Sequence, residues 1–366
     1  MPLPFPLSRP PKIERFDPPS GSRILAVSDI HGSLDYLTGL LDRVRFSPED
    51  TLFIVGDLLQ KGPRSLDTLR YVMELAKTHR VKFLCGNCDW VVPMLDCGKP
   101  ENSLWYLLVF PGGLLGQMFR ALGIPIGPDM DFPGAVARAR EAFAPEFAFL
   151  AAAPEIIETE HLIFVHGGLP EGPRESWAVW RCMKNDRYLD HAVPCEKWQI
   201  VGHWPVMLYH RDIVNANPII DRDRKVISID GGCALKDDGQ LNALILPNEA
   251  SEDFTWESWD PFPAATVQTA QPASERSYYI RWGDNRVELL DRGAEFSRVR
   301  HSRTGYEMDV LTKYLRPDGT VNDCTDYRLP LEPGDEVKIV ETTSRGYFVK
   351  HKGISGWYFG EVTSNK

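Results

Sequence analysis

The chain has 366 residues, of which 43% are hydrophobic and 25% charged, and this composition is typical of a soluble globular protein with room for more than one domain. Its formal net charge of -10 offers no general attraction to nucleic acid or to an anionic membrane surface, so neither is expected as a partner. The seven cysteines are an odd number in a large chain, which argues against a disulfide framework and favours a reducing compartment.

The first part of the chain, residues 1–22, is rich in proline and predicts an extended arm. It has no basic start followed by a long apolar run, so it does not resemble a signal peptide. A membrane-spanning helix would need about 18 or more consecutive apolar residues, and no such stretch occurs in the sequence. These features predict a cytoplasmic protein.

Residues 23–247 alternate between short apolar runs and helical patterns. Runs such as RILAVSD, TLFIVGD and VKFLCGN are continuous enough to form strands buried on both faces, and the segments between them have helical periodicity. This alternation predicts an α/β layered domain. Within it, residues 101–153 contain helical stretches around a Gly/Pro-rich connection, and we expect a helical cap inserted after the third strand.

The composition changes after the α/β domain. Residues 248–275 are dominated by Pro, Ala, Thr and acidic residues without periodicity, and this predicts a linker or a loose surface segment. Residues 276–366 return to short alternating strands with turns marked by Gly, Asp and Asn, which predict a small all-β barrel domain.

Five predicted strands of the α/β domain end in side chains that can bind a metal ion. Open α/β sheets place their ligand sites at the carboxyl ends of strands. Any single residue of this kind could be a helix cap or a surface side chain, but six of them at five strand ends predict a metal site. Carboxylate, amide oxygen and imidazole suit manganese, iron, zinc or magnesium. The candidate ligands are Asp29 and His31 in SDIHG, Asp57 in VGDLL, Asn87 in GNCD, His166 in FVHGG and His203 in GHWP.

These motifs follow the order found in the calcineurin-like metallophosphoesterases, which residues 23–247 resemble. The resemblance implies a two-sheet sandwich flanked by helices, with two divalent ions at one edge, for which manganese is the first expectation and iron, zinc or magnesium are alternatives. It assigns the ligands by position: Asp29 and His31 to the first ion, Asp57 to both, and Asn87, His166 and His203 to the second.

Two branches of that family compete for this chain. The motifs GDLLQKGP, FVHGGLP and ISIDGGC resemble the phosphoprotein-phosphatase branch, which includes bacterial symmetric dinucleoside-tetraphosphatases. GHWP has the single histidine of that branch, whereas phosphodiesterases usually have a second histidine two residues later. GNCD, in contrast, is typical of small phosphodiesterases, so a phosphodiesterase remains an alternative.

The phosphatase branch uses a histidine, oriented by an aspartate, to protonate the leaving oxygen, and Cys88 and Gln60 occupy these two positions. No catalytic acid can therefore be assigned, and the role of Cys88 is expected to be that of a small buried side chain. Protonation of a poor leaving group is typically worth about 10²–10⁴-fold. The resemblance thus implies hydrolysis of phosphotyrosine-like monoesters or of nucleotide pyrophosphate bonds, by two ions and a bridging hydroxide. A catalytically weak metal-binding scaffold is the alternative from another functional class.

Three cations are candidates for binding the substrate phosphate. Lys61 stands where the branch has an arginine, and Arg181 in WAVWRCM resembles a second phosphate-binding arginine. Arg64 is a third candidate, and a plain surface role remains open for Arg181. The expected substrate is a phosphorylated protein or a nucleotide.

Residues 331–362 resemble a bacterial SH3-type domain in the order GDEVKIV, YFVKH and GWYF. The resemblance implies an SH3-like barrel within residues 276–366, with a possible peptide partner. Its aromatic residues could line a peptide groove or form the barrel core. They are Tyr347, Trp357, Tyr358 and Phe359.

Overall fold

The computed structural model describes residues 9–96 and 99–364. In chain order, the helices are α1 (Leu34–Arg43), α2 (Ser65–Thr78), α3 (Val91–Asp96), α4 (Pro100–Val109), α5 (Leu114–Ala121), α6 (Phe132–Ala142), α7 (Ala144–Ala152), α8 (Val179–Met183) and α9 (Tyr188–His191). The strands are β1 (Ile13–Arg15), β2 (Ile24–Val27), β3 (Thr51–Val55), β4 (Arg80–Leu84), β5 (Ile156–Glu158), β6 (Leu162–Val165), β7 (Trp198–Val201), β8 (Val214–Asn215), β9 (Ile219–Asp221), β10 (Val226–Ser228), β11 (Leu241–Leu246), β12 (Thr255–Trp259), β13 (Ala264–Val267), β14 (Tyr279–Ile280), β15 (Val287–Asp291), β16 (Phe296–His301), β17 (Glu307–Leu311), β18 (Cys324–Thr325), β19 (Glu336–Thr343), β20 (Gly346–His351), β21 (Ile354–Tyr358) and β22 (Val362–Ser364).

The chain divides into two compact units. The first comprises the described residues up to Trp204, together with Pro218–Leu235 and Gln240–Asp260. It contains a five-stranded sheet in the order β12-β11-β2-β3-β4 and a six-stranded sheet in the order β1-β5-β6-β7-β10-β9. Strands β2, β3 and β4 are parallel, as expected for strands joined by helices α1 and α2.

The two sheets of the first unit pack face to face, and β2 shows why its apolar run is continuous. Ile24 and Ala26 belong to the hydrophobic cluster between the sheets, whereas Leu25 and Val27 belong to the cluster beneath the helices. Across the sandwich, the rings of Phe53 in β3 and Phe164 in β6 stack with centroids 3.8 Å apart. The prediction of a two-sheet sandwich flanked by helices is confirmed.

Helices cover the outer face of the five-stranded sheet. In α1 the buried residues Leu37, Leu40 and Leu41 recur at helical spacing and join the same cluster as Leu69 of α2 and Phe119 of α5. Helices α4 to α7 account for the helical segment expected over residues 101–153. None of the helices within the described residues has both the length and the apolarity that a membrane crossing requires.

The N-terminal segment, for which an extended arm was predicted, forms part of a sheet. Residues 1–8 lie outside the described residues, but β1 pairs in parallel with β5 as the edge strand of the six-stranded sheet. Arg9 forms an ion pair of 2.5 Å with Glu155, and the Lys12 amide donates to the same carboxylate at 2.6 Å. The segment is extended because it joins a sheet and buries the ring of Phe16 against Phe53.

The prediction of a linker at residues 248–275 is wrong over two stretches. Strand β12 pairs with β11, and strand β13 pairs with β19 and β22. The aromatic side chains of the acidic segment decide the outcome: Phe254 is buried between the sheets, and Trp259 packs against the cluster beneath the helices. Their burial, worth roughly 1.5–3 kcal/mol for a large side chain, outweighs the poor strand propensity of their neighbours.

Trp259 approaches helix α1 so closely that the helix carries a glycine there. A Cβ added at Gly39 would lie 2.2 Å from Trp259 Nε1. Alanine ordinarily stabilises a helix by about 1 kcal/mol relative to glycine, but forced repacking of a core typically costs about 1–3 kcal/mol. We expect Gly39→Ala to lower the midpoint of thermal unfolding measured by circular dichroism, and to become neutral or stabilising in a Trp259→Ala background. A more stable single variant would contradict this account of Gly39.

The second unit comprises Pro205–Asn217, Lys236–Gly239 and the described residues from Pro261 onward. A six-stranded sheet has the order β22-β13-β19-β20-β21-β8, and β15, β16 and β17 form a separate sheet. Residues 214–215, far back in the sequence, thus supply the edge strand β8, which pairs with β21. Two hydrophobic clusters lie in this unit, one around Val337 and Val349 and another around Val299 and Val310.

The aromatic residues predicted for the C-terminal barrel divide between core and surface. Tyr358 is fully buried, and Tyr347 packs partly buried against the same cluster. Phe359 is 46% exposed, and its ring lies parallel to that of Trp357 with centroids 6.3 Å apart. The SH3-like assignment of residues 276–366 and its peptide partner stay predictions, and the unit extends beyond those bounds.

Candidate metal centre

The six predicted ligands come together where strands from both sheets of the first unit end. Asp29 and His31 follow β2, Asp57 follows β3, and Asn87 follows β4 in the five-stranded sheet. His166 follows β6 and His203 follows β7 in the six-stranded sheet. The carboxyl ends of parallel strands share one edge of a sheet, so the fold itself gathers these side chains.

Four of the ligands have a left-handed backbone. The φ angles are 56° at Asp29, 52° at His31, 50° at Asp57 and 69° at His203. This conformation costs a non-glycine residue roughly 1–2 kcal/mol, so surrounding bonds must hold it. The His31 amide donates to the Asp57 carbonyl at 2.9 Å, and the Asp29 amide donates to the Gly56 carbonyl at 3.1 Å. These bonds tie the two strand ends to each other.

Two glycines beside the ligands leave room for carboxylates. A Cβ at Gly86 would lie 2.2 Å from Asp57 Oδ1, and a Cβ at Gly202 would lie 2.3 Å from Asp29 Oδ2. In the motifs GN and GH the glycine is therefore needed because a carboxylate packs against its backbone. The His203 amide donates to Asp29 Oδ2 at 3.0 Å and fixes the remaining oxygen, Oδ1, toward the centre.

Two histidines present a nitrogen lone pair to the centre. His31 Nδ1 lies 3.2 Å from the Leu59 carbonyl, and His166 Nδ1 lies 2.9 Å from the Val55 carbonyl, so each Nδ1 carries the proton and donates. His31 Nε2 then faces Asp29 Oδ1 at 3.8 Å and Asp57 Oδ2 at 3.9 Å. His166 Nε2 lies 3.3 Å from Asp57 Oδ1 and 4.0 Å from Asp29 Oδ1.

Three inward atoms are buried and have no hydrogen-bond partner among the described residues: Asp29 Oδ1, His31 Nε2 and His166 Nε2. Leaving a buried polar atom unsatisfied typically costs about 1–3 kcal/mol, and more when the group is charged. One kind of ligand satisfies all three at once, because two imidazole lone pairs and a carboxylate oxygen are donors to a divalent cation. The residues at this position therefore fit a metal ion.

His203 and Asn87 complete the set of candidate metal ligands. His203 Nε2 lies 2.8 Å from Asp186 Oδ1, which leaves Nδ1 as the acceptor. The Asn87 amide oxygen is placed 2.9 Å from that Nδ1 and 3.3 Å from the Met183 carbonyl, so that three acceptors meet. If the amide is turned over, the Asn87 nitrogen donates to His203 Nδ1 and to the Met183 carbonyl. If it is not, a cation bound to the Asn87 oxygen and to His203 Nδ1 would satisfy these acceptors. A ring nitrogen of His203, one of His166 and an oxygen of Asp57 lie within 4.8 Å of one another.

The buried carboxylates and imidazoles of the centre shift one another's pKa values. Burial and the neighbouring Asp230 raise the pKa of Asp29 well above its usual range. Burial would lower the pKa of His166, but the carboxylates of Asp57 and Asp29 raise it to about 10, so a cation that binds its Nε2 would displace a proton from that lone pair. Burial acts against ionisation of Asp57 as well, and His166 and His31 nevertheless hold its pKa well below the usual range. A bound cation would relieve the repulsion between the buried carboxylates.

Gln60 and Cys88, which occupy the positions of the expected aspartate and histidine, have different surroundings. Gln60 is buried, and its side-chain oxygen accepts from the Leu114 amide at 3.2 Å, so it caps helix α5 and cannot orient a general acid. Cys88 lies at the centre, where its amide donates to Asp57 Oδ1 at 2.7 Å. Burial and the Asp57 carboxylate raise the pKa of the Cys88 thiol well above its usual range.

The three candidate phosphate-binding cations are placed differently. Lys61 is exposed, and its ammonium lies 4.3 Å from the ring centroid of Phe110. Arg181 is exposed and lines a groove of about 460 Å³ that also includes residues 184–186. Arg64 is held by two carboxylates, at 2.9 Å from Asp35 and 3.2 Å from Asp67. Lys61 and Arg181 therefore remain candidates for binding the substrate phosphate, whereas the guanidinium of Arg64 is already paired with Asp35 and Asp67.

Sequence reasoning missed two carboxylates of the centre. Asp89 accepts from the Leu59 amide and from the Gly86 amide, both at 3.0 Å, and so joins the loops after β3 and β4. Burial and the nearby Asp57 raise the pKa of Asp89 to about 7. Asp89 belongs to the same GNCD motif as the candidate ligand Asn87, and this position in the sequence could have indicated that it lies at the centre. Asp186 lies in an irregular segment between α8 and α9, where no pattern marks it as a partner of His203.

Asp186 holds His203 in the tautomer that binds a metal, and the hydrogen bond lowers the pKa of this carboxyl to about 2. Loss of such a partner typically weakens metal binding by about 10–100-fold. We expect Asp186→Ala to show this loss when metal affinity is measured by competition with a chelating dye. Asp190→Ala is the matched control, because Asp190 is similarly exposed and pairs with Arg187 at 2.6 Å. Equal affinities for both variants would show that Asp186 does not support the centre.

Several known phosphoester hydrolases are similar to this chain. The sequence profile of the calcineurin-like phosphoesterases matches residues 22–221. Over 90 residues the chain is 42% identical to a symmetrical bis(5'-nucleosyl)-tetraphosphatase from Salmonella arizonae, a match that covers 23% of this chain and only 31% of that protein.

Two solved structures share a limited overall similarity with the chain. A serine/threonine protein phosphatase from Saccharomyces cerevisiae, with similarity to human phosphatase PP5, is 11% identical, with a TM-score of 0.42 over 69% of this chain and 84% of that one. A cold-active protein-tyrosine phosphatase of a psychrophilic Shewanella is 14% identical, with a TM-score of 0.41 over 68% of this chain and 82% of that one.

Proposed function

The chain belongs to the calcineurin-like phosphoesterase family, and from that premise we propose that it hydrolyses phosphate compounds with good leaving groups at a centre of two divalent ions. Nucleotide pyrophosphate bonds are the favoured substrates, and aryl phosphomonoesters such as phosphotyrosine are the second class. The observation that carries the proposal is the convergence of three buried ligand atoms, from Asp29, His31 and His166, around the carboxylate of Asp57, where none of the three has a hydrogen-bond partner in the part of the chain that the structure describes.

The six ligands would be divided between two ions, and the Asp57 carboxylate would be a ligand of both. Bound there, divalent ions would supply Lewis-acid polarisation of the phosphoryl group and activation of water. Manganese is our first proposal for the metal, and iron, zinc or magnesium would suit the same donors. By position, Asp29 and His31 would hold one ion, Asn87, His166 and His203 the other, and Asp57 both.

The chain's own cations would bind and orient the phosphate. Lys61 follows Gln60 in the loop after β3. Burial lowers the pKa of His31, and the nearby charge of Lys61 acts in the same direction. Arg181 and Lys184 belong to the groove that also contains Asp186, the partner of His203. Lysine acts as a point charge and arginine as a two-pronged donor, so together they suit a group with several anionic oxygens.

The lack of a proton donor limits the range of substrates that the site could hydrolyse. Gln60 is occupied by the amide of Leu114, and the Cys88 thiol is too weak an acid to protonate a leaving oxygen at neutral pH. A serine alkoxide leaves poorly without protonation, whereas a nucleotide phosphate or a phenolate leaves readily. The local similarity to a symmetrical bis(5'-nucleosyl)-tetraphosphatase supports the nucleotide class.

A substrate panel tests the proposal. Metal-free protein is reloaded with manganese, iron, zinc or magnesium and offered p-nitrophenyl phosphate, bis(p-nitrophenyl) phosphate, diadenosine tetraphosphate and a phosphoserine peptide. We expect turnover of the tetraphosphate and of the aryl monoester, and none without metal. A clear preference for the bis ester would indicate a phosphodiesterase. Protein that holds metal but hydrolyses none of the four would be a metal-binding scaffold.

Lys61 should matter for substrate binding, whereas Arg64 should not. We expect Lys61→Ala to raise KM for p-nitrophenyl phosphate about tenfold with metal content unchanged, which corresponds to the loss of one charge-assisted contact of about 1.4 kcal/mol. Arg64→Ala serves as the control, because its guanidinium is already paired with Asp35 and Asp67. Steady-state kinetics decide the point, and equal KM values for the two variants would remove Lys61 from the site.

A further inference from the structure

Cys88 places a sulfur atom close to two of the candidate ligands, His31 and Asp57. Its Sγ, a ring nitrogen of His31 and a carboxylate oxygen of Asp57 all lie within 4.8 Å of one another, and all three residues are buried. For a tetrahedral ion with bonds of about 2.0 Å to nitrogen and about 2.3 Å to sulfur, these two donors would be roughly 3.5 Å apart. The observed range includes that spacing.

The surroundings of the sulfur are those of a ligand. His31 Nε2, which is buried, has no hydrogen-bond partner among the described residues and needs a cation or a donor. One orientation of the Asn87 amide lets its nitrogen donate to Cys88 Sγ at 3.3 Å and turns its oxygen toward His203 Nδ1, where it can serve as a ligand of the second ion. The reversed amide donates to His203 Nδ1 and to the Met183 carbonyl instead, so the bond to sulfur depends on a cation that holds the first orientation. Hydrogen bonds from neighbouring groups are the usual support for metal ligands.

We propose that Cys88 is a ligand of the ion held by Asp29 and His31 and shared with Asp57, so that this ion has a mixed oxygen, nitrogen and sulfur donor set. The inference rests on the metal centre of the proposed function. On binding, the thiol loses its proton to solvent, because a coordinating thiol is deprotonated.

A sulfur donor changes which metal ion this position binds most tightly. Thiolate ligands favour zinc and iron, whereas carboxylate and water suit magnesium and manganese. The ligand therefore shifts the expected ion at this position from manganese to zinc or iron. It also explains why the chain has no external acid: the residue at the position of the acid is engaged with the metal and has no proton to give.

Cobalt spectroscopy tests the assignment without relying on activity. Metal-free full-length protein is titrated with Co²⁺ and its absorption recorded. We expect wild-type protein to show visible cobalt bands and an intense near-ultraviolet sulfur-to-cobalt band. Cys88→Ser should keep the visible bands and lose the near-ultraviolet band. The preference for Cd²⁺ over Mn²⁺, measured by competition, should fall at least about tenfold in Cys88→Ser.

Two variants guard the interpretation. Cys195→Ser removes a cysteine that is partly exposed and should leave the sulfur band intact, which excludes adventitious binding there. Cys88→Ala should behave like Cys88→Ser if the lost sulfur, and not the added hydroxyl, is responsible. A wild-type protein with bound cobalt and no sulfur band, or a band that persists in Cys88→Ser, would overturn the inference and leave the proposed function standing. If the wild-type protein binds no cobalt, both fail.

Discussion

Asp57→Asn should leave the protein folded but unable to retain metal, and hydrolysis should fall by on the order of 10³-fold. Asp57 approaches both His31, at 3.9 Å, and His166, at 3.3 Å, so its charge serves both proposed ion positions. Lewis-acid stabilisation is worth several kcal/mol, and each tenfold in rate is about 1.4 kcal/mol. Asparagine tolerates the positive φ of 50° at this position and can still accept from the Cys88 amide.

Metal content after desalting, measured by atomic emission, and the rate with p-nitrophenyl phosphate are the two readouts for Asp57→Asn. Asp67→Asn is the matched control, because Asp67 is exposed and pairs only with Arg64 among the ion pairs of the described residues. Retention of two ions per chain by Asp57→Asn, with the fold intact by circular dichroism, would refute a shared carboxylate.

The second large effect concerns the leaving group. We expect the wild-type protein to hydrolyse p-nitrophenyl phosphate or phosphotyrosine peptide faster than phosphoserine peptide by about 10²–10⁴-fold, which is what protonation of a poor leaving group is ordinarily worth. The physical reason is that the Gln60 side chain is bonded to the Leu114 amide, and that Cys88 supplies no proton to a leaving oxygen, either as a buried thiol or as a metal-bound thiolate. Comparable rates for phosphoserine and phosphotyrosine peptides would rule this out.

Restoring an acid should change that ratio. Cys88→His introduces an imidazole where the phosphatase branch has its acid, and Gln60→Asp adds the carboxylate that orients it. The double variant should raise phosphoserine turnover more than aryl turnover, since protonation helps the poorer leaving group most. Gln60→Asp alone should bring no gain, because the shorter side chain gives up the bond to the Leu114 amide. If the double variant gains equally on both substrates, the imidazole is not acting as an acid.

The metal ligands could be predicted from the sequence because strand ends carry local signals. Apolar runs identify β2, β3 and β4, and the first polar residues after a buried parallel strand lie at the shared edge of the sheet. The structure brings Asp29 and Asp57 together at that edge, and His166, which follows β6 in the other sheet, lies 4.0 Å from Asp29 and 3.3 Å from Asp57.

Other parts of the site and fold had no such signal. Asp186 reaches His203 from an irregular segment, and its spacing in the sequence says nothing about that contact. Gln60 looks like a lost catalytic residue in the sequence, but its bond to Leu114 depends on where the helical segment packs. Acidic neighbours mask strand β12 in the sequence, and the burial of Phe254 and Trp259 explains its pairing with β11.

The pairing of β8 with β21 has a consequence for biosynthesis. Asn217 bonds to the Lys352 carbonyl across 135 residues, and Val214 and Asn215 are opposite Ser355 and Ile354. At about 5–20 residues per second on the ribosome, the segment around β8 waits on the order of ten seconds for its partner strand. A nascent chain stalled before β21 should therefore expose residues 205–217 to protease, and release of the full chain should protect them.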